Sequence, residues 1–332
     1  MQHNLVQNNL VQNTEGLLTE VIEPQVGRLR FDEMSPIARL GLRLIWPFVV
    51  LSSVAVYGYS ISTGSSMEAA ILDEFWYLIA VILFLEVVLP CHEEWNIYDR
   101  QAWNDLLYNF MFPISQYAAT VVVLYFLGFM QTQADSYYLS NIWPAHLPLY
   151  LQVLLSILVL DLSFYTTHRL HHELKVLWRL HAVHHSSHQL HIINNGRVHP
   201  LEICIGYTGP LLLMYCLGIP LEVVGWFFAI QQAVGFMTHS NIAVNNGLLS
   251  FFINTPEQHR WHHSPRLEEG NSNYGTVIML WDHVFGTFYG PRDKSSSPFI
   301  GTASYVPTGF LAQVLRPDLV GNQDKGKENA ET

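Results

Sequence analysis

The sequence predicts an all-α integral membrane protein: four spanning helices plus a short membrane hairpin, with a His-rich site for two metals on the cytosolic side. Three observations lead there. Of 332 residues, 50% are hydrophobic and only 13% charged, where a soluble domain carries about a quarter charged residues. The apolar residues gather into runs that suit about 30 Å of hydrocarbon, which takes roughly 20 helical residues. Histidines number 17, more than the 16 Lys and Arg together, and most of them crowd the second half of the chain.

Met1 to Asp32 is polar and contains a tandem repeat, Asn4–Asn8 followed by Asn9–Asn13. No basic stretch leads into an apolar run there, so it reads as a mobile tail rather than a signal peptide. The expected spans are Leu44–Ser62, Phe75–Pro90, Leu106–Met130 and Leu147–Thr167, the second of them short. Leu201–Thr238 is broken by Gly218-Ile219-Pro220. It reads as two helices of about 27 Å each at 1.5 Å per residue, a hairpin that barely spans. Residues 33–291 form the membrane domain, and 292–332 a polar C-terminal tail.

Orientation follows from the basic residues. Arg28, Arg30, Arg39 and Arg43 precede the first span, Arg100 lies between the second and third, and the other eleven follow the fourth from Arg169 onward. A single topology puts all 16 on one side, with the N-terminus and the polar chain after Thr167 in the cytosol. A soluble helical protein would leave that segregation to chance. The formal charge of −11 disfavours a nucleic-acid partner, which needs a basic face. Cys91, Cys204 and Cys216 build neither a disulfide framework nor a CxxC zinc site.

Three histidine clusters share a pattern. His168 and His172 are four apart, while His181, His184, His185 and again His259, His262, His263 read HxxHH. On a helix, residues three and four apart share a face. Thr255-Pro256 with Gln258 is a helix start, with Thr as N-cap and Pro at the first helical position. Eight clustered imidazoles exceed the four ligands that close a zinc site and suit two metals. Neutral imidazole serves iron, zinc, copper or nickel. His239 closes the hairpin beside the clusters and is a ninth expected ligand. His199 opens it and is a candidate metal or substrate contact. His188 and His191 are expected to support rather than ligate, His171 points off the ligand face, and His283 is expected near the site. Asp161, seven residues before His168, is expected to accept a hydrogen bond from a ligand imidazole and fix its tautomer. Asp282 is placed in the same role. Glu86 either joins them or snorkels to the membrane edge.

The motifs His168-Arg169-Leu170-His171-His172, His181-Ala182-Val183-His184-His185 and His259-Arg260-Trp261-His262-His263 resemble the sterol desaturase/fatty acid hydroxylase superfamily. So do Arg197-Val198-His199-Pro200-Leu201-Glu202 and Trp281-Asp282-His283-Val284-Phe285-Gly286-Thr287. The resemblance covers about Leu147–Pro291. It implies four spanning helices under a cytosolic helical cap and a diiron site on His168, His172, His181, His184, His185, His239, His259, His262 and His263. It also implies O2 as co-substrate and a substrate tunnel from the membrane to the metals. Breaking an alkyl C–H bond needs a redox metal, since no side chain oxidises strongly enough. No cytochrome b5-like or ferredoxin-like segment follows Pro291, so electrons are expected from a separate donor of one of those kinds. Arg169, Lys175, Arg179, Arg260 and Arg266 form either its docking face or ordinary positive-inside residues.

Hydroxylation of a membrane lipid is the favoured activity, with desaturation on the same site as the alternative. A metal transporter needs ligands near the bilayer midplane, and the first three spans carry no histidine. The location implied is multi-pass, in a bacterial inner membrane or the endoplasmic reticulum. Sterol, fatty acyl chain, ether lipid, carotenoid and aminolipid all suit an apolar tunnel.

Overall fold

The computed structural model describes residues 25–26, 29–30, 34–97, 101–133, 142–291, 296 and 299–321. The repeat at Asn4–Asn13, Arg28, Arg100 and residues 322–332 lie outside them. The only strands among the described residues are β1 (Gln25–Val26) and β2 (Leu29–Arg30), a two-residue antiparallel ladder. The other regular elements among the described residues are helical.

Helix α1 spans Pro36–Ser62, eight residues earlier than the apolar run suggests, because Ser35 caps it through a bond from the Ala38 amide and Pro36 fits its first turn. The same device starts α2 (Met67–Val88) at Ser66, which caps the Ala69 amide. That lengthens the short second span to 22 residues. Helix α3 covers Ala102–Gln133, and α4 covers Leu149–Glu173. The hairpin becomes α6 (Pro200–Leu217) and α7 (Leu221–Thr238), split where Gly218 takes φ 67°, a left-handed turn that glycine adopts freely.

Among the described residues, five helices are long and apolar enough to cross a membrane: α1, α3, α4, α6 and α7. Helix α2 is longer than α6 or α7 but carries Asp73, Glu74 and Glu86 in its apolar stretch. Two of these acids turn inward, with Glu74 and Glu86 buried. Large apolar side chains such as Phe48, Trp76, Phe84 and Tyr125 face outward, the pattern of a bundle solvated by lipid.

Helix α2 packs on α1 and α7, α4 on α6 and α7, and α3 on α6. Leu78, Ile82, Leu160, Phe227 and Met237 are fully buried where these helices meet. At one end of the bundle sit the short elements: α5 (Lys175–His181), α8 (Pro256–His262), α9 (Leu267–Gly270) and α10 (Leu280–Phe285). Beyond Pro291, α11 (Phe310–Leu315) packs back on the membrane domain. Buried Gln313 accepts from the Tyr108 hydroxyl at 3.1 Å.

Candidate metal centre

The nine expected histidines converge, each delivered by the end of an element. The last turns of α4 carry His168 and His172, one helical turn apart. His181 is the last residue of α5. His184 and His185 follow in a 3₁₀ turn rather than a continuing α-helix. His239 caps α7, and α8 with its C-cap carries His259, His262 and His263. Thr255 and Pro256 start α8 as the sequence suggests. The Thr255 hydroxyl, however, pairs with Ser250 instead of capping the helix.

These rings form two groups, each able to hold a metal ion. One contains His168, His172, His181, His185 and His262; the other contains His184, His239, His259 and His263. Within each group the ligand atoms lie within 4.8 Å of one another. Both HxxHH motifs are shared between the groups. On α8, His259 and His263 are separated by about 40° around the axis, whereas His262 lies about 60° to the other side of His259. His185 and His263 stack at 4.3 Å between centroids and join the two groups.

Hydrogen bonds on the far side of the rings fix which nitrogen is free. The Nδ1 atoms of His168, His184 and His262 face the carbonyls of Tyr274, Arg197 and Ser272 at 2.9, 3.2 and 2.7 Å. A carbonyl only accepts, so these nitrogens carry the proton. His181 Nδ1 donates to Glu202 Oε1 at 2.5 Å. His172 and His239 face the side-chain oxygens of Asn271 and Asn194. Each of the six Nε2 atoms is then left with a lone pair directed into its group. His172 Nε2 and His262 Nε2 are buried without any partner, at a cost of about 1–3 kcal/mol for each such group.

Burial holds the rings neutral. Desolvation, reinforced mainly by neighbouring imidazoles, lowers His181, His185, His239, His259, His262 and His263 well below the usual histidine range. Burial takes His184 down to about 4. Unprotonated nitrogens converging in pairs, with no thiolate among them, fit borderline transition-metal cations such as iron.

A cavity of about 710 Å³ ends on His168, His181, His184, His239 and His259. It runs between α3, α6 and α7 to Ile71 on α2. Phe164, Tyr207 and Phe228 are among its apolar lining.

The fatty acid hydroxylase family model matches residues 153–287, which include all nine rings. The ornithine lipid hydroxylase OlsE of Rhizobium tropici is 34% identical over 278 residues, 82% of this chain and 83% of its own. The chain belongs to the fatty acid hydroxylase family. The human alkylglycerol monooxygenase is 32% identical over 136 residues, 40% of this chain and 30% of the relative. The fatty acid hydroxylase vlmA of a Lecanicillium species is 26% identical over 200 residues, 54% and 52% of the two chains. No solved structure is significantly similar.

In this fatty acid hydroxylase family member, several expected supporting contacts are made by other groups. Asp161 touches no imidazole. It accepts from the amides of Thr276, Val277 and Ile278 and from the Thr276 hydroxyl. Asp282 accepts from the Tyr274 and Gly275 amides, both at 2.8 Å, and from Thr287. The physical reason is shared: loop 272–278 is threaded into the protein, its amides need acceptors there, and its carbonyls orient the rings. Glu86 neither snorkels nor meets a ring; Oε1 accepts from the Ile192 and Asn241 amides, each at 2.9 Å.

His199 is not in either group. Its Nδ1 accepts from the Leu201 amide as the N-cap of α6, and its Nε2 bonds the Val314 carbonyl, so neither nitrogen is available. His171 bonds its own helix at the Thr167 carbonyl, His191 caps a turn with Asn194, and His283 bonds the Phe251 carbonyl. Arg260 is buried and so drops out of an exposed basic face. Glu202 and Arg197 carry roles that their place in the sequence motif does not indicate. Arg197 is 1% exposed and pairs with Asp105 at 2.8 Å. It also bonds the Val183 carbonyl and Ser186, clamping the turn that carries His184 and His185.

Proposed function

We propose that this chain is an O2-dependent monooxygenase that hydroxylates a C–H bond of a membrane lipid. Two iron ions would occupy the two imidazole groups, and a separate ferredoxin- or cytochrome b5-like donor would supply electrons. The observation that carries the reading is the convergence of two sets of unprotonated imidazole nitrogens at the inner end of an apolar cavity. The names of the relatives agree on the reaction while differing in the lipid: ornithine lipid, alkylglycerol, fatty acid. They favour hydroxylation over desaturation. Gathering of the rings at one end of the bundle disfavours transport, which needs ligands near the midplane.

Bound iron would pass the donor's electrons to O2 and so supply the oxidising power toward the C–H bond that side chains lack. The residues of the chain do the rest. Glu202, Asn271, Asn194 and the carbonyls of Tyr274, Arg197 and Ser272 hold the proton on Nδ1 and aim Nε2 inward. Phe164, Tyr207 and Phe228 give an alkyl chain an apolar wall and exclude water from the reacting end. The basic residues near the rings, Arg169, Lys175 and Arg179 among them, support a cytosolic placement of this end. The five long apolar helices support a multi-pass protein.

The test is lipid mass spectrometry on cells with and without the gene, together with metal analysis of purified protein. A gain of 16 Da in a lipid and about two irons per chain are expected. A loss of 2 Da would replace hydroxylation by desaturation, and absence of stoichiometric transition metal would overturn the reading.

A further inference from the structure

The wall of the 710 Å³ cavity is chemically lopsided. Among the described residues, no Lys or Arg is part of its lining. Besides the histidines, its charged side chains are Glu68, exposed at the outer end, and Glu202, buried beside the rings. Glu202 stands in the first turn of α6 and is 8% exposed. Its Oε1 is committed to His181 Nδ1, whereas its Oε2 is buried and makes no side-chain hydrogen bond, the His199 amide at the helix cap being the other donor to this carboxylate. The two other buried carboxylates near the site, Asp161 and Asp282, have both oxygens satisfied by backbone amides. Glu202 alone of the three keeps an acceptor to offer, and it does so on the cavity wall next to His168, His181 and His184.

An acceptor buried without a donor is unfavourable, and a ligand that supplies the donor gains by relieving it. A ligand that brings a second acceptor there meets repulsion between lone pairs instead. Resting on the lipid hydroxylase reading, we propose that Glu202 is a specificity-determining residue: its Oε2 accepts a hydrogen bond from a hydroxyl, amide N–H or ammonium close to the carbon presented to the rings. The substrate is then an aminolipid or a lipid alcohol. Free fatty acids and lipid phosphates are disfavoured, because the wall offers them no cationic side chain.

The experiment uses iron-loaded protein in nanodiscs and four probes of one chain length: 1-dodecanol, dodecylammonium, dodecyl methyl ether and dodecanoate. Binding is read by tryptophan fluorescence. The alcohol and the ammonium are expected to bind at least tenfold tighter than the ether and the carboxylate. E202Q keeps an oxygen for His181 Nδ1 and turns the free position into an N–H donor. It is expected to retain iron and to lose the preference for alcohol over ether. Equal binding of the four probes to the unaltered protein, or an unchanged ranking in iron-replete E202Q, would overturn the proposal. If E202Q loses iron, the ranking on the unaltered protein decides alone. A missing 16 Da product would defeat the hydroxylase reading without touching this ranking, so the two failures are separable.

Discussion

His168 and His181 face each other through their Nε2 atoms, 3.2 Å apart, while the Nδ1 of each is committed to an acceptor. Neither nitrogen has a proton to place between them, so the contact sets one lone pair against another. His184 and His239 repeat the relationship at 3.3 Å. A cation in each group would convert these repulsions into ligation, which would couple metal binding to folding.

Metal removal is therefore expected to loosen the histidine end. Chelation should lower the thermal midpoint by at least about 5 °C, since roughly 1 kcal/mol corresponds to 2–4 °C for a chain of this order. Re-addition of Fe(II) should restore it. Differential scanning calorimetry in nanodiscs checks this, and identical midpoints with and without iron would count against a metal in these groups.

The apoprotein should be acid-sensitive in a defined window. Burial lowers His184 from the ordinary value of 6.5 to about 4, and His181, His239, His259 and His263 move in the same direction. Above about pH 7.5 the rings are neutral whether folded or not, and pH has almost no effect through them. As pH falls toward 4, the unfolded chain takes up protons that the folded rings refuse. Stability then drops by up to about 1.4 kcal/mol per pH unit for each such ring. The imidazole contribution to the urea midpoint of apoprotein should be flat above about pH 7.5 and decline below; no decline down to pH 4.5 contradicts buried neutral imidazoles.

Much of the centre was legible because imidazoles at spacings of three and four mark a shared helical face. That rule brought His168 to His172 and His259 to His263. It did not reveal which ring joins which group, since the chain leaves the helix after His181 and the turn at Ala182–His185 redirects His184. The acceptors that fix the tautomers were mostly invisible for a simple reason: the carbonyls of Tyr274, Arg197 and Ser272 belong to the backbone and leave no residue signature. Glu202 is visible in the motif, but its contact with His181 spans 21 positions. Helix starts shifted in the same way, because Ser35 and Ser66 cap polar turns that the apolar pattern does not include.

Asp282 acts on the metal groups at one remove. It holds the Tyr274 amide, and the Tyr274 carbonyl holds His168. Asp282→Asn should release the loop and lower iron affinity about 10- to 100-fold, the usual effect of losing an outer partner. The remaining His184 group should keep its metal more firmly. Iron retained per chain during graded chelation reads this out, and a curve superimposable on the unaltered protein would exclude the relay.

Breaking the Arg197–Asp105 pair should be costly, because both side chains are almost fully buried. Arg197→Met alone should destabilise by about 3–5 kcal/mol by stranding the Asp105 carboxylate. The double variant with Asp105→Leu should regain part of that loss. Additive effects in the double-mutant cycle would show that the two residues act independently.

Gly235 separates the role of the cavity from that of the metal groups. It lines the cavity on α7, and a Cβ added there meets nothing within 4 Å. The backbone there takes a Cβ without clash, so Gly235→Leu should be tolerated, and the helix should gain about 1 kcal/mol from losing a mid-helix glycine. The added side chain would occupy space that a lipid chain needs on its way to His239. Iron content and thermal midpoint should hold or rise while lipid turnover falls at least tenfold, with KM raised more for long chains than for short ones. Turnover of long-chain lipid at the unaltered rate would mean that substrate reaches the rings by another route, whereas loss of iron would mean that α7 and its cap at His239 had shifted.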